Sequence, residues 1–113
     1  MIYEVEVSKQ ADSDLRGIFE YIAFELQSLE NASGQLDRLE EQILSLDKMP
    51  ERYRKYEKEP WKSRGLRVLP VDNYLVLYIP DNDKKVVTIL RVMYAGRDID
   101  NQLNIHTTIR NMI

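Results

Sequence analysis

Six side chains of this sequence could handle a phosphodiester: Arg67, Arg91 and Arg97 among the cations, and Tyr74, Tyr78 and Tyr94 among the phenols. A guanidinium fork matches phosphate oxygens, and a tyrosine ring stacks on a base. Proton transfer is the weak point of such a set. Arginine stays protonated under all ordinary conditions, and a tyrosine hydroxyl gives up its proton only near pH ~10. A structural role competes with the chemical one, because Glu4 and Glu6 alternate onto the non-core face of the first strand and would pair with Arg67 or Arg91 across a sheet. The segment from Glu51 to Arg64, ERYRKYEKEPWKSR, adds a second cationic and aromatic group. Its Trp61, Lys62 and Arg64 are candidates for contact with a nucleic acid or another target by stacking and phosphate attraction. Alternatively its aromatics fold back over the end of the helices, the reading favoured for Tyr53 and Tyr56, with Trp61 left open between the two.

Other chemistries find no residues to carry them. Cysteine is absent and His106 is the single histidine, in the C-terminal stretch, so no transition-metal cluster or Ser-His type nucleophile can be assembled and no metal or cofactor is expected. No glycine-rich turn joins a strand to a helix as a phosphate loop requires. The formal net charge is −3, which by itself argues against nucleic acid, but the charge is unevenly spread. Acid dominates the first half through Asp12, Asp14, Glu20, Glu25, Glu30, Asp37, Glu40 and Glu41, whereas Arg52, Arg54, Lys55, Lys58, Lys62, Arg64 and Arg67 crowd the middle. The N-terminal sequence lacks a signal-peptide pattern, and the apolar runs are strand-sized, so a cytoplasmic protein with no membrane span is expected.

The elements that would position these residues follow from periodicity. Ile2–Val7 alternates as a strand, with Tyr3, Val5 and Val7 on one face. Ser8 is an N-cap for a helix over Lys9 to about Gln27, whose apolar stripe is Ala11, Leu15, Ile18, Ile22 and Leu26. After a break at Ser28–Asn31 the spacing resumes with Ala32, Leu36, Leu39, Ile43 and Leu46, stopping at Met49–Pro50. Residues 51–65 have no period and read as a loop. Three strands then follow, Leu66–Val71, Tyr74–Pro80 and Lys85–Tyr94, joined by links short enough to demand antiparallel hairpins. The fold class is therefore α+β: an N-terminal strand, a helical hairpin and a three-stranded antiparallel meander, forming one sheet with helices on one face and the other face open. Alternation assigns Leu75, Leu77 and Ile79 to the core and Tyr74, Val76 and Tyr78 to the open side. A single domain over residues 1–103 is expected, with a short helix after Asp98 and a tail over 104–113.

The order and spacing of several pieces resemble the RelE/ParE superfamily of bacterial type II toxin–antitoxin toxins, the group that includes plasmid stabilization proteins and other addiction-module toxins, and resemble its ParE branch more than its RelE branch. The matching pieces are Ala11-Asp12-Ser13-Asp14-Leu15 and Tyr21-Ile22-Ala23 in the first helix, and Leu46 to Pro50 closing the second. Leu66-Arg67-Val68-Leu69-Pro70-Val71, Asp72 to Tyr78, and Ile89 to Asp98 complete the set. The resemblance implies a growth-inhibiting toxin neutralised by a cognate antitoxin whose C-terminal segment wraps it. ParE-like toxins inhibit DNA gyrase, whereas RelE-like toxins cleave mRNA on the ribosome. Leu75 stands where the RelE-like pattern has an arginine after the middle-strand tyrosine, which weighs toward gyrase. Tyr94 stands where many ParE-like sequences have histidine, and some nuclease members use a tyrosine there. As an mRNA interferase the protein would hold phosphate with Arg67, Arg91 and Arg97 while Tyr94 or Lys62 assists proton transfer. As a gyrase inhibitor it would need no catalytic residue. A third possibility is a non-toxic homologue that only binds antitoxin. The resemblance makes Arg97 the foremost functional residue and makes Tyr74, Tyr78 and Arg67 a docking surface for an acidic antitoxin segment.

Overall fold

Ser8 is the hinge between the first strand and the first helix. In the computed structural model, which describes residues 2–96 and 99–106 with side chains through Leu103, its Oγ accepts from Ala11 N at 3.0 Å and donates to Leu90 O at 2.9 Å. The cap thus satisfies an orphan helix amide and ties the helix start to the sheet. Strand β1 (Glu4–Val7) precedes it and helix α1 (Lys9–Glu20) follows. Helix α1 passes into a π-helical turn at Tyr21–Glu25, and Ser28 caps helix α2 (Leu29–Leu44) through Asn31 N at 3.3 Å. Short 3-10 turns at Ser45–Asp47 and Pro50–Arg52 lead to strand β2 (Arg54–Lys55). Strands β3 (Arg67–Val71), β4 (Tyr74–Asp81) and β5 (Val86–Tyr94) form the meander, and helix α3 (Ile99–His106) closes the described chain, running past the boundary expected at Leu103.

The sheet has the order β1-β5-β4-β3-β2, with β1 parallel to β5 and every other pair antiparallel. The α+β class and the meander are as the sequence implied. The two-residue β2, hidden in a stretch without period, makes a fifth strand at the far edge. A bulge separates the Leu77–Arg91 pair from the Tyr78–Ile89 pair, so Leu90 is the extra residue in β5.

Two expectations about the sheet faces are reversed. The helical hairpin covers the side carrying Val76 and Tyr78, where Ala11, Leu15, Leu39 and Ile43 pack with Leu69, Val71, Val87 and Ile89. The other side is closed instead of open. Leu75 and Leu77 join Leu66, Val68, Leu90 and Met93 beneath Tyr56, Trp61 and Leu103. Alternation was right about which residues share a face, but nearly every residue of β4 is apolar, so periodicity alone could not say which face met the helices. Segment 51–65 is the reason for the closure. Its Tyr53 packs against the helix-side core, while Tyr56 and Trp61 cross to the other face and become part of a second core. Helix α3 completes that cover with Leu103, held by Asp100, which accepts from the Tyr56 hydroxyl and from Lys58 Nζ at 2.7 Å. The Lys58 ammonium and the Tyr56 hydroxyl hold the Asp100 carboxyl below its usual pKa.

Trp61 is 1% exposed and is the only tryptophan in the sequence. Replacing it by alanine should cost about 3–5 kcal/mol of stability, the range for emptying a large aromatic site. Urea unfolding followed by far-UV circular dichroism checks this, and a loss under about 1 kcal/mol would mean that the 51–65 segment is not part of the core.

Candidate functional site

Arg91 lies deep in the structure, with only 7% of its surface exposed. Its Nε donates to Asp14 Oδ2 at 2.7 Å and its Nη2 to Asp14 Oδ1 at 2.9 Å, a two-pronged guanidinium–carboxylate pair. Val92 N donates to the same Oδ2 at 2.9 Å, and Arg91 Nη1 reaches Gln102 O in α3 at 3.3 Å. One residue thereby joins α1, β5 and α3. The partner is not Glu4 or Glu6, which stand on β1, but an aspartate on the helix packed over the sheet. Asp14 lies three residues after buried Ala11, on the edge of the apolar stripe of α1. A carboxylate at that position must find a cation or backbone amides when the helix packs. That is the signal in the sequence by which the pair could have been found.

Arg67 is also engaged internally. It faces the helix side opposite Tyr78, and its Nη1 donates to Glu51 O at 3.0 Å and Tyr53 O at 2.7 Å. The Glu51 carboxylate lies 3.7 Å from its Nη2. These bonds anchor the chain as it leaves the 3-10 turn for β2. Arg91 stands opposite Leu77, whose side chain belongs to the other face, so the two arginines do not converge on a common point. Tyr78 is fully buried, with its hydroxyl donating to Pro50 O at 2.5 Å, and its burial pushes the phenol pKa well above the ordinary value. Trp61 is buried and unavailable for base stacking, and the Arg64 guanidinium lies over its ring at 5.9 Å from the centroid. Lys62 is exposed on the same segment. Arg97 lies outside the described residues, as do Asp98 and the side chain of His106.

A groove of about 1050 Å³ lies between the hairpin and the end of the sheet. Ile18, Ile22 and Val92 give it an apolar floor; Tyr21, Tyr74, Tyr94, Asn31, Asn73 and Gln35 supply uncharged hydrogen-bonding groups. Tyr74 and Tyr94 meet edge to face with ring centroids 6.0 Å apart. Burial raises the Tyr74 phenol pKa, with smaller contributions from the Tyr21 and Tyr94 phenols. The charged groups in the walls are neutralised in place. Arg91 holds Asp14, and Arg38 Nε donates to Asp72 Oδ2 at 2.8 Å while Gln35 Nε2 donates to the same oxygen at 3.0 Å. Those two bonds depress the Asp72 carboxyl pKa and pin the β3–β4 turn, where Asp72 adopts φ +54°, to helix α2. Of the six residues first singled out, the groove brings together Tyr74, Tyr94 and the Asp14-paired Arg91. Tyr21, which joins them, stood out in the sequence only within the Tyr21-Ile22-Ala23 piece of the first helix and not as a candidate site residue.

This fold and its paired Asp14 and Arg91 fall within the 5–99 stretch matched by a family model, that of the ParE toxin of type II toxin-antitoxin systems, parDE. The chain belongs to the ParE toxin family. No curated protein matches the sequence. Among solved structures, a chain of the chromosomal ParDE toxin–antitoxin system of P. aeruginosa superposes with a TM-score of 0.70 at 18% identity, covering 84% of this chain and 98% of that one. A double-arginine mutant of E. coli RelE in the free state gives a TM-score of 0.67 at 14% identity, with 100% of both chains covered. The RelBE2 toxin–antitoxin complex of Mycobacterium tuberculosis gives 0.62 at 23% identity, covering 83% of this chain and 99% of that one. At these identities the structures establish a shared fold, and the family model establishes membership. Among the described residues no helix of this ParE-family chain is long and apolar enough to cross a membrane.

The buried phenol of Tyr78 makes stability fall at alkaline pH. The unfolded chain loses this proton near pH ~10, whereas the folded chain keeps it well above that pH, so the folded state binds more protons and stability declines as pH rises beyond 10. Chemical denaturation at pH 9 and pH 11 should show the decline, and Tyr78→Phe should reduce its slope. An unchanged slope in the variant would place the effect elsewhere. Tyr94, about half exposed, should tolerate alanine with a change within ~0.5 kcal/mol in the same assay; a larger loss would make it part of the framework.

Proposed function

We propose that this chain is a growth-inhibiting toxin neutralised by a cognate antitoxin, and that it acts by binding DNA gyrase and not by cleaving mRNA. The observation that carries the choice is the engagement of Arg67 and Arg91, the two of the three candidate arginines that lie within the described residues. A nuclease of this kind holds the scissile phosphate with free guanidinium groups placed before the reaction. Here Arg91 is spent on Asp14 and a backbone carbonyl, and Arg67 on two backbone carbonyls beside Glu51. They also face opposite sides of the sheet. Family membership supports the same choice, since the resemblance to the ParE branch implies gyrase as the target. Leu75 after Tyr74, with no arginine there, weighs the same way. The antitoxin follows from the ParDE and RelBE2 systems in which similar folds are found. In this reading Arg97, just beyond β5, and the exposed Lys62 contact the target, and no residue acts as a general base.

Supercoiling of relaxed plasmid by purified gyrase should be inhibited by the purified protein, while primer extension on transcripts from arrested cells should show no new 5′ ends. New ends at codon-spaced positions with unimpaired supercoiling would replace the gyrase reading with the interferase one. Arg97→Ala should weaken gyrase inhibition by about tenfold or more, equivalent to ~1.4 kcal/mol of binding. Undiminished inhibition would remove Arg97 from the contact.

A further inference from the structure

The segment between β2 and β3 is a closed, hydrogen-bonded loop with a cationic outer surface. Tyr56 N donates to Leu66 O at 2.8 Å and joins its two ends; Lys62 N donates to Lys58 O at 2.9 Å within it, and Leu66 N returns to Trp61 O at 3.1 Å. Gly65, at φ +83°, makes the left-handed turn that delivers the chain to β3. Trp61 is the plug, because its place in the second core fixes the inner side of the loop to the sheet. The side chains left outside are charged. Lys58 and Lys62 are exposed on the loop, Arg54 and Lys55 are exposed on the edge strand that leads into it, and Arg64 lies partly buried over the Trp61 ring. Residues 52–67 hold seven lysines and arginines against two glutamates, whereas the rest of the chain holds nine against seventeen acidic residues. A basic rim is thus set into an acidic protein.

Some of these cations serve the fold. Arg52 donates to the Ser45, Lys48 and Met49 carbonyls, Lys58 pairs with Asp100, and Arg67 ties down the approach to β2. Arg54, Lys55, Lys62 and Arg64 have no ion-pair partner among the described residues. Glu59 is taken up by its own loop, accepting from Ser63 N at 2.9 Å and Ser63 Oγ at 2.8 Å, with Lys62 a more distant counter-charge. What the surface lacks then identifies the ligand. Single strands are held by exposed aromatic rings on which bases stack, but Tyr56 and Trp61 are buried in the second core and Tyr53 packs against the first, with the Arg52 guanidinium 4.7 Å from its ring centroid. A protein partner would look for an apolar anchor, and no large apolar side chain of residues 52–67 is exposed. Cations with neither rings nor anchors grip a regular phosphate backbone, and a DNA duplex offers one charge per ~1.7 Å of its axis with its bases turned inward. We propose that this edge of the sheet binds double-stranded DNA through its phosphates, without reading sequence, with Arg54, Lys55 and Lys62 making the contacts. The proposal rests on the gyrase reading above for the setting in which DNA is met: Lys62 then touches the duplex on which that enzyme works.

The test titrates the full-length protein, without gyrase, into a short fluorescein-labelled duplex of random sequence and reads anisotropy over a range of sodium chloride. Three phosphate contacts give a slope of about −2.7 in log affinity against log salt, a loss of about fortyfold between ~50 and ~200 mM. Arg54→Gln, Lys55→Gln and Lys62→Gln together should weaken binding at low salt at least about tenfold and flatten the slope. Lys9→Gln, Lys48→Gln and Lys84→Gln together change the net charge by the same amount at cations exposed elsewhere, and should leave affinity and slope as they are. Thermal melts confirm that both triple variants fold. No binding of the duplex by the unmutated protein at low salt, equal losses in the two triple variants, or tighter binding of a single strand of the same length would each overturn the assignment. The gyrase reading is unaffected by any of these results, because it stands or falls on inhibition of supercoiling.

Discussion

Strand β5 is longer than the strand beside it. β1 pairs with Val86–Ile89 and then turns into α1, leaving β5 from Leu90 to Tyr94 with an edge that no strand among the described residues covers. Backbone N–H and C=O groups at such an edge need partners once they are buried. The chain meets this constraint from the helix that displaced the strand: Ser8 Oγ donates to Leu90 O, and Asp14 accepts from Val92 N. Arg91 then neutralises the carboxylate that was brought inside to do so, and reaches onward to α3. The packing of α1 on the sheet, the docking of α3 on the opposite face and the shape of the groove beside Val92 all depend on this three-way junction.

With the junction in place, both faces of the sheet become interior. The helical hairpin closes one; segment 51–65 and α3 close the other. Arginines and tyrosines that alternation would have set on an open surface are absorbed into the framework. Tyr78 caps a carbonyl and Arg67 ties down the approach to β2. What remains for recognition is the rim: the Tyr21–Tyr74–Tyr94 groove, the hairpin tip and the cations after Arg52. This rim offers exposed surface for binding a partner, which is the ground of the proposal that gyrase and not mRNA is the target.

Much of the architecture could be read directly from residue types. Ser8 as a cap, the two amphipathic helices, the strand limits near Val71, Tyr74 and Tyr94, and the antiparallel meander follow from spacing and turn chemistry. The destination of the strand faces did not, because β4 reads Tyr-Leu-Val-Leu-Tyr-Ile and is apolar on both sides, leaving no polar face to mark as outside. Trp61 was illegible for a related reason. A lone aromatic in a charged, aperiodic segment has no neighbours in sequence that reveal its packing, and only the second core, assembled from β3, β4, β5 and α3, decides it. The arginine pairs were foreseen in kind but not in partner. Asp14 lies 77 residues from Arg91, and a helix-to-sheet contact across that separation is a product of the fold.

The claim on which the rest turns is that Arg91 is a structural cation held by Asp14. A double-mutant cycle on unfolding free energy, with Asp14→Ala, Arg91→Met and the two together, tests it most directly. Either single change should cost about 3–5 kcal/mol by stranding a buried partner, and the double variant should recover part of that loss, a coupling of about 2–3 kcal/mol. Losses that add to within ~0.5 kcal/mol would show that the two residues act independently, and would return Arg91 to the list of groups available for chemistry.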